Sequence, residues 1–224
     1  MKVCLSLVSL LAMSLPAIGG DVSVQVIITK RFTKKTVSPT IYNLRGAVPL
    51  AAKATDPVDE FARTVVILEG GHPAPAPPES VTIEQRNSRF EPELVVIPVG
   101  SSVQFPNADP IFHNVFSLSR AQSFDLGYYP QAQSRTVRFP REGVVQVYCH
   151  IHSNMYAAIV VTGSPWYGRP ESNGVFCWTG IPAGHYRAMA WHKIAGLFEV
   201  PLEVPESGAV HVQIRVPVDA EPAR

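Results

Sequence analysis

The chain has 224 residues, enough for one large or two small domains, and a 46% hydrophobic composition that supplies a core, so disorder is excluded as a description of the whole. Its 19 lysines and arginines stand against 18 acidic residues, a net charge of +1 that points to neither nucleic acid nor an anionic membrane surface as the main partner. Any charged docking surface must be local.

The chain opens with Met1-Lys2, an apolar stretch from Val3 to Leu15, and then Pro16-Ala17-Ile18-Gly19-Gly20, with small residues where a peptidase would cut. Residues 1–20 therefore read as a Sec-type signal peptide, and the mature protein is expected in the periplasm or secreted. The competing reading, a membrane anchor, needs an apolar run of ~20 residues, and this one is shorter. No later segment is apolar enough to span, so no integral membrane segment is expected after cleavage. Cys4 leaves with the leader, and Cys149 and Cys177 remain, a pair first suspected of forming a disulfide in an oxidising compartment.

Short apolar or alternating runs then follow one another with Gly, Pro, Asn and Ser between them, and 21 prolines argue against long helices. The fold class is all-β. Strands are expected at 22–29, 63–68, 80–85, 93–98, 102–105, 114–117, 134–139, 143–148, 157–162, 175–179, 185–191, 198–204 and 209–215. Only the stretch from Tyr42 to Phe61 could hold a short helix. The basic run from Lys30 to Lys35 reads as a solvated strand end or, alternatively, as a docking patch for an acidic partner.

Two breaks divide the mature chain. The stiff run His72-Pro73-Ala74-Pro75-Ala76-Pro77-Pro78 precedes a compact segment, and Gly163-Ser164-Pro165 follows it. The expected organisation is a first flanking part at 21–78, a middle domain at 79–162 and a second flanking part at 163–218. The flanks either form one sandwich split by the middle domain or are two independent pieces; contacts of Val65–Leu68 with strands after Val175 would favour the former. Trp166, Tyr167 and Trp178 are expected to pack one domain against the other.

Chemistry is concentrated in Tyr148-Cys149-His150-Ile151-His152-Ser153-Asn154-Met155, directly after an alternating strand. Thiol, imidazole and thioether recur every three residues, so a tight turn can bring all three to one ion. His113, at the end of Phe105-Pro106-Asn107-Ala108-Asp109-Pro110-Ile111-Phe112-His113, is the candidate fourth ligand. Two imidazoles, a thiolate and a weak thioether suit copper; zinc accepts the first three but rarely recruits a thioether in structural sites. By strand alternation His150 points away from the site, and His185 and His192 read as structural. Cys177 reads as a small buried hydrophobe.

The spacing Cys149-x-x-His152-x-x-Met155, together with His113-Asn114-Val115 and Val99-Gly100-Ser101-Ser102-Val103-Gln104-Phe105-Pro106-Asn107, resembles the cupredoxins, with a ligand loop similar to the short amicyanin type. The resemblance covers about residues 80 to 162 and implies a Greek-key β-sandwich holding one type 1 copper per chain through His113, Cys149, His152 and Met155. It also implies that Asn114 hydrogen-bonds across to the Cys149 loop. The flanks and Phe124-Asp125-Leu126-Gly127-Tyr128-Tyr129 are similar to a bacterial group labelled methylamine utilisation proteins. The string from Asn173 to Arg187 resembles the carboxypeptidase regulatory-like, transthyretin-like modules, implying a second, smaller β-sandwich.

These readings favour a one-electron carrier for an unidentified redox partner protein. The alternative is a cell-envelope copper-binding or copper-delivery protein with a partner-binding module. An enzyme is not expected, because a multicopper oxidase needs many histidines for its second cluster and this chain has 7. His150 nevertheless leaves open a second metal shared with a neighbouring chain.

Overall fold

The computed structural model describes residues 19–29, 59–71 and 73–218. The signal peptide through residue 18, the basic run at 30–35, most of the possible helix at 42–61 and His72 lie outside the described residues. Within them every regular element is a strand: β1 (Gly20–Ile28), β2 (Thr64–Gly70), β3 (Ser80–Thr82), β4 (Glu84–Arg86), β5 (Arg89–Glu91), β6 (Leu94–Pro98), β7 (Ser102–Pro106), β8 (His113–Leu118), β9 (Ser123–Tyr129), β10 (Ser134–Arg138), β11 (Gly143–Tyr148), β12 (Tyr156–Thr162), β13 (Tyr167–Gly168), β14 (Val175–Ile181), β15 (Gly184–His192), β16 (Gly196–Val204) and β17 (Ala209–Val216). The protein is all-β. Among the described residues no helix is long and apolar enough to cross a membrane.

In the middle of the chain a five-stranded sheet, β6-β12-β11-β8-β9, faces the three-stranded sheet β10-β7-β3. Alternation places Val95 and Ile97, Val103 and Phe105, Val145 and Val147, and Ala157, Ile159 and Val161 on the inner faces, where they form one core with Phe139 and Tyr129. Two strands enter this sandwich parallel to their neighbours, β3 beside β7 and β6 beside β12.

The flanking parts form two further sheets, β14-β1-β17 and β13-β2-β15-β16. β2 pairs antiparallel with β15 from Gly70 opposite Tyr186 to Thr64 opposite His192, so residues before the proline run sit in one sheet with residues after the second break. β1 lies antiparallel to β14 and parallel to β17. Their inner faces share a core of Val22, Val24, Val66, Leu68, Trp178, Ala188, Ala190 and Ile214.

The run Val65-Val66-Ile67-Leu68 is apolar at every position because β2 is covered on both faces. Val66 and Leu68 enter the flanking core, whereas Val65 and Ile67 meet Leu94, Ala158, Val160 and Trp191 in a separate seam against the middle sandwich. β12 is double-sided in the same way. The seam is bordered by ionic contacts: Lys193 Nζ donates to Glu93 Oε2 at 2.7 Å and to the Tyr156 carbonyl at 2.9 Å, and Arg63 Nε donates to Glu93 Oε1 at 2.6 Å.

Three expectations change. The strand β9 was not foreseen, because it is an edge strand with largely uncovered side chains and Gly127 at φ 65° in its middle. Cys177 is exposed rather than buried: β14 sends Trp178 inward and Cys177 to the outer face. Of the three aromatic residues expected between domains, only Tyr167 borders the seam; Trp166 packs edge-on to Tyr186 and Trp178 on Phe176, both within the flanking core.

Candidate metal centre

Antiparallel pairing of β11 with β8, with Tyr148 opposite Phe116, sets the start of β8 beside the residues that follow β11. His113 is the first residue of β8, and Cys149 is the first residue beyond β11. The chain then turns, with the Met155 amide donating to the His152 carbonyl at 3.0 Å, and enters β12. One ligand atom from each of His113, Cys149 and His152 lies within 4.8 Å of the others. Cys149 Sγ is 3.9 Å from His152 Nδ1, and the two imidazole centroids are 4.8 Å apart. Met155, 1% exposed, belongs to the same core cluster as Cys149.

The surroundings are apolar and closed on the inner side. His113 is fully buried and Cys149 nearly so, while His152 is half-buried. Cys149 and Cys177 are both free thiols, one at the end of β11 and the other on the outer face of β14, so they do not form the disulfide first suspected from the sequence. A buried thiol packed against imidazoles rather than bonded to Cys177, the other described cysteine, is a donor suited to a soft cation.

His113 has its two ring nitrogens in different states. Nε2 contacts Asp109 Oδ2 at 2.8 Å, whereas Nδ1 is buried without a hydrogen-bond partner. An imidazole with one nitrogen held by a carboxylate and a bare, buried second nitrogen beside a thiol fits a metal ligand, since an unsatisfied polar atom is otherwise costly. The donor set of two imidazoles and a thiol, with a thioether in the same loop, therefore suits the metal that the sequence suggests.

The loop before His113 is built around Asn107. Its Nδ2 donates to the carbonyls of Ile111 at 2.8 Å and Tyr129 at 3.1 Å, and its Oδ1 accepts the Asp109 amide at 2.9 Å. Tyr129, the largest fully buried side chain, donates its hydroxyl to the Phe105 carbonyl at 2.8 Å and accepts from Gln85 Nε2 at 2.6 Å. Burial by itself pushes the Asp109 carboxyl up, but hydrogen bonds from the Ser88 amide, the His113 ring and the Asn87 amide outweigh it and leave the carboxyl below its ordinary value.

Asn114 departs from the expectation. Its Nδ2 donates to Asp125 Oδ1 at 2.7 Å on the adjacent strand β9, rather than to the Cys149 loop, and its Oδ1 is buried without a partner. The register shift between Asn114 and Phe116 brings Asp125 to that position. His150 points outward, as alternation predicts: its ring stacks on Phe116 at 3.8 Å with 6° between planes, and Nε2 is 3.8 Å from Asp125 Oδ2. His185 is exposed. His192 is buried and structural, its Nδ1 accepting the Ile194 and Ala195 amides and its Nε2 facing Glu60 at 3.1 Å. Asp109 and the turn at Asn87-Ser88 were not singled out from sequence, where nothing local ties them to His113.

No family model and no curated protein matches the sequence. Among solved structures the chain is similar to a copper-containing nitrite reductase from Thermus scotoductus SA-01, 24% identical over 37% of this chain and 22% of that chain, with a TM-score of 0.35. It is also similar to a purple cupredoxin from Nitrosopumilus maritimus, 23% identical over 37% of this chain and 99% of that chain, with a TM-score of 0.34. A third likeness is to the reduced Cu(I) form of a point mutant of amicyanin, 19% identical over 37% of this chain and 82% of that chain, with a TM-score of 0.35. The chain thus spans about a fifth of the nitrite reductase and most of the other two.

Proposed function

We propose that this protein is an exported type 1 copper protein that binds one copper per chain through His113, Cys149, His152 and Met155 and carries single electrons. The observation that carries the reading is the buried, unpaired His113 Nδ1 beside a free, buried Cys149 thiol and the His152 ring. Copper bound there would supply a reversible one-electron couple with a strong thiolate bond. The chain's own contribution is rigidity: His113 opens a strand, Cys149 leaves one, and Met155 is locked in the core, so the donors are held by sheets on both sides.

Electron exchange also needs an approach for a partner. Phe112 and Ile151, the residues immediately before His113 and His152, are exposed at 56% and 50%, and Ile111 at 43%. These exposed apolar side chains, which precede the two candidate imidazole ligands in the chain, suit a transient protein contact beside the site. The reading assigns no catalytic reaction to the chain, and export rests on the leader-like residues 1–20. The flanking sheets belong, in this reading, to one split transthyretin-like module.

The test is a visible spectrum of the purified mature chain after Cu(II) addition, with copper measured on the same sample. An intense thiolate-to-copper band at one copper per chain, followed by reversible reduction, supports the carrier. A chain that binds copper without that band, or surrenders it readily to a chelator, overturns it in favour of copper handling.

A further inference from the structure

The Asn87–Ser88 turn joins β4 to β5 and lies about 20 residues before the first ligand loop, yet it grips that loop. The amide of Asn87 donates to Asp109 Oδ1 at 2.6 Å and the amide of Ser88 to Asp109 Oδ2 at 2.8 Å. Both residues sit at positive φ, 54° and 53°, a left-handed pair that turns successive amides toward one anion. On its other side the same turn is tied to the second ligand loop, since Asn154 Nδ2 donates to the Ser88 carbonyl at 3.0 Å. Asp109 is 7% exposed, and its backbone amide is itself anchored on Asn107 Oδ1. Its carboxylate therefore has donors on both oxygens and reaches His113 Nε2 from a fixed position.

An acceptor-only carboxylate opposite Nε2 requires a ring proton on Nε2, which in the neutral imidazole leaves Nδ1 as a lone pair. A negative group hydrogen-bonded to a ligand imidazole makes that ligand more basic and favours the more positive metal state. We propose that Asp109, held by the Asn87–Ser88 turn, is a positioning residue that fixes the tautomer and ring plane of His113 and lowers the reduction potential of copper bound beside it. The tuning part rests on the copper reading above; the tautomer part does not. The turn also sets the spacing of the two ligand loops, because Ser88 bonds to both.

The experiment compares the full mature chain with Asp109→Asn and Asn154→Ala. Asparagine fills the same space but sets an NH2 against an amide donor and removes the charge. Cu(II)-loaded D109N is expected to keep a thiolate-to-copper band, to show a more positive midpoint potential than wild type, and to bind Zn(II) about 10–100-fold more weakly. Asn154→Ala, which leaves Asp109 intact, is expected to broaden or shift the band while moving the potential less than D109N does. A D109N potential equal to or below that of wild type overturns the tuning role.

Long-range 1H–15N NMR of the metal-free wild-type chain reads the His113 tautomer without any variant, so a poorly folding D109N leaves the positioning role exposed to refutation. The proton is expected on Nε2; a proton on Nδ1 overturns the assignment. A wild-type chain with no thiolate-to-copper band overturns the copper reading and the tuning role together, while the NMR result still decides whether Asp109 orients His113.

Discussion

Asn114 and Asp125 are joined by a 2.7 Å hydrogen bond from Nδ2 to Oδ1, across β8 and β9, one residue away from the candidate ligand His113. Asp125 Oδ1 also accepts the Gly127 amide at 2.8 Å, so one carboxylate fixes both the edge strand and the start of β8. Asn114 Oδ1 is already without a partner. Replacing Asp125 by Ala strands the whole buried amide, and the expected cost is about 1–3 kcal/mol. Urea unfolding of the metal-free chain measures it; an unchanged midpoint would mean that the bond contributes nothing.

Cys149→Ala is expected to abolish the thiolate-to-copper colour entirely, because the other described thiol, Cys177, is on the outer face of β14. Met155→Leu conserves volume in a core position and should keep the colour while shifting the potential, the behaviour of a weak axial ligand. Absorption spectra and redox titration of both variants separate the two roles. Colour retained in the cysteine variant refutes the ligand assignment.

Metal should stabilise the fold in proportion to its affinity, since the donors are brought together only when β8 and β11 are paired. With free metal at 100 times Kd the gain is about 2.7 kcal/mol. Thermal unfolding with and without Zn(II) should show a rise in Tm for wild type that is lost in His113→Ala. An equal rise in both would place the metal elsewhere.

The seam between the sandwiches supplies an acid-sensitive contact. Burial pushes the Glu93 carboxyl up, but hydrogen bonds from Lys193 and Arg63 outweigh it and hold the carboxyl below its ordinary value. The folded value is therefore the lower one, so the pair stabilises fully above about pH 4.3, the unperturbed glutamate value, and the gain is lost as pH falls through the folded value. Glu93→Gln should flatten that part of the stability curve and cost about 2 kcal/mol at neutral pH, because Lys193 stays buried with one neutral acceptor. Unfolding midpoints of both chains from pH 3 to 7 check the sign.

The grouping of Cys149 and His152 beside His113 was legible because a thiol and an imidazole three residues apart, directly after an alternating strand, turn to the same side. His113 was legible for a related reason, as an imidazole where a polar turn returns to a strand. Asp109 was not, since its partners Asn87 and Ser88 are remote in sequence and meet it only through backbone amides, which every residue but proline carries. The side-chain bond of Asn114 depends on the irregular register between β8 and β9, which no residue pattern encodes. Cys177 was misjudged because an apolar side chain on β14 falls on either face according to the parity of its position, and Phe176 and Trp178 on either side of it are apolar as well.

The pairing of β1 with β17 and of β2 with β15 has a consequence for the order in which the molecule is assembled. The middle sandwich contains all four candidate ligands and all its own strands between residues 80 and 162. Its contacts close over shorter stretches of chain, whereas the two neighbours of β1 begin only at Val175 and Ala209. Long loops close slowly, and non-local pairing is rewarded late. A pocket of the candidate ligands can therefore exist on a chain whose outer sheets are still unpaired, with β2 exposing Val66 and Leu68 until β15 arrives. Loss of the last strand would leave His113, Cys149 and His152 grouped while depriving β1 of its parallel neighbour, so a shortened chain would keep the candidate donor set and still be prone to aggregate.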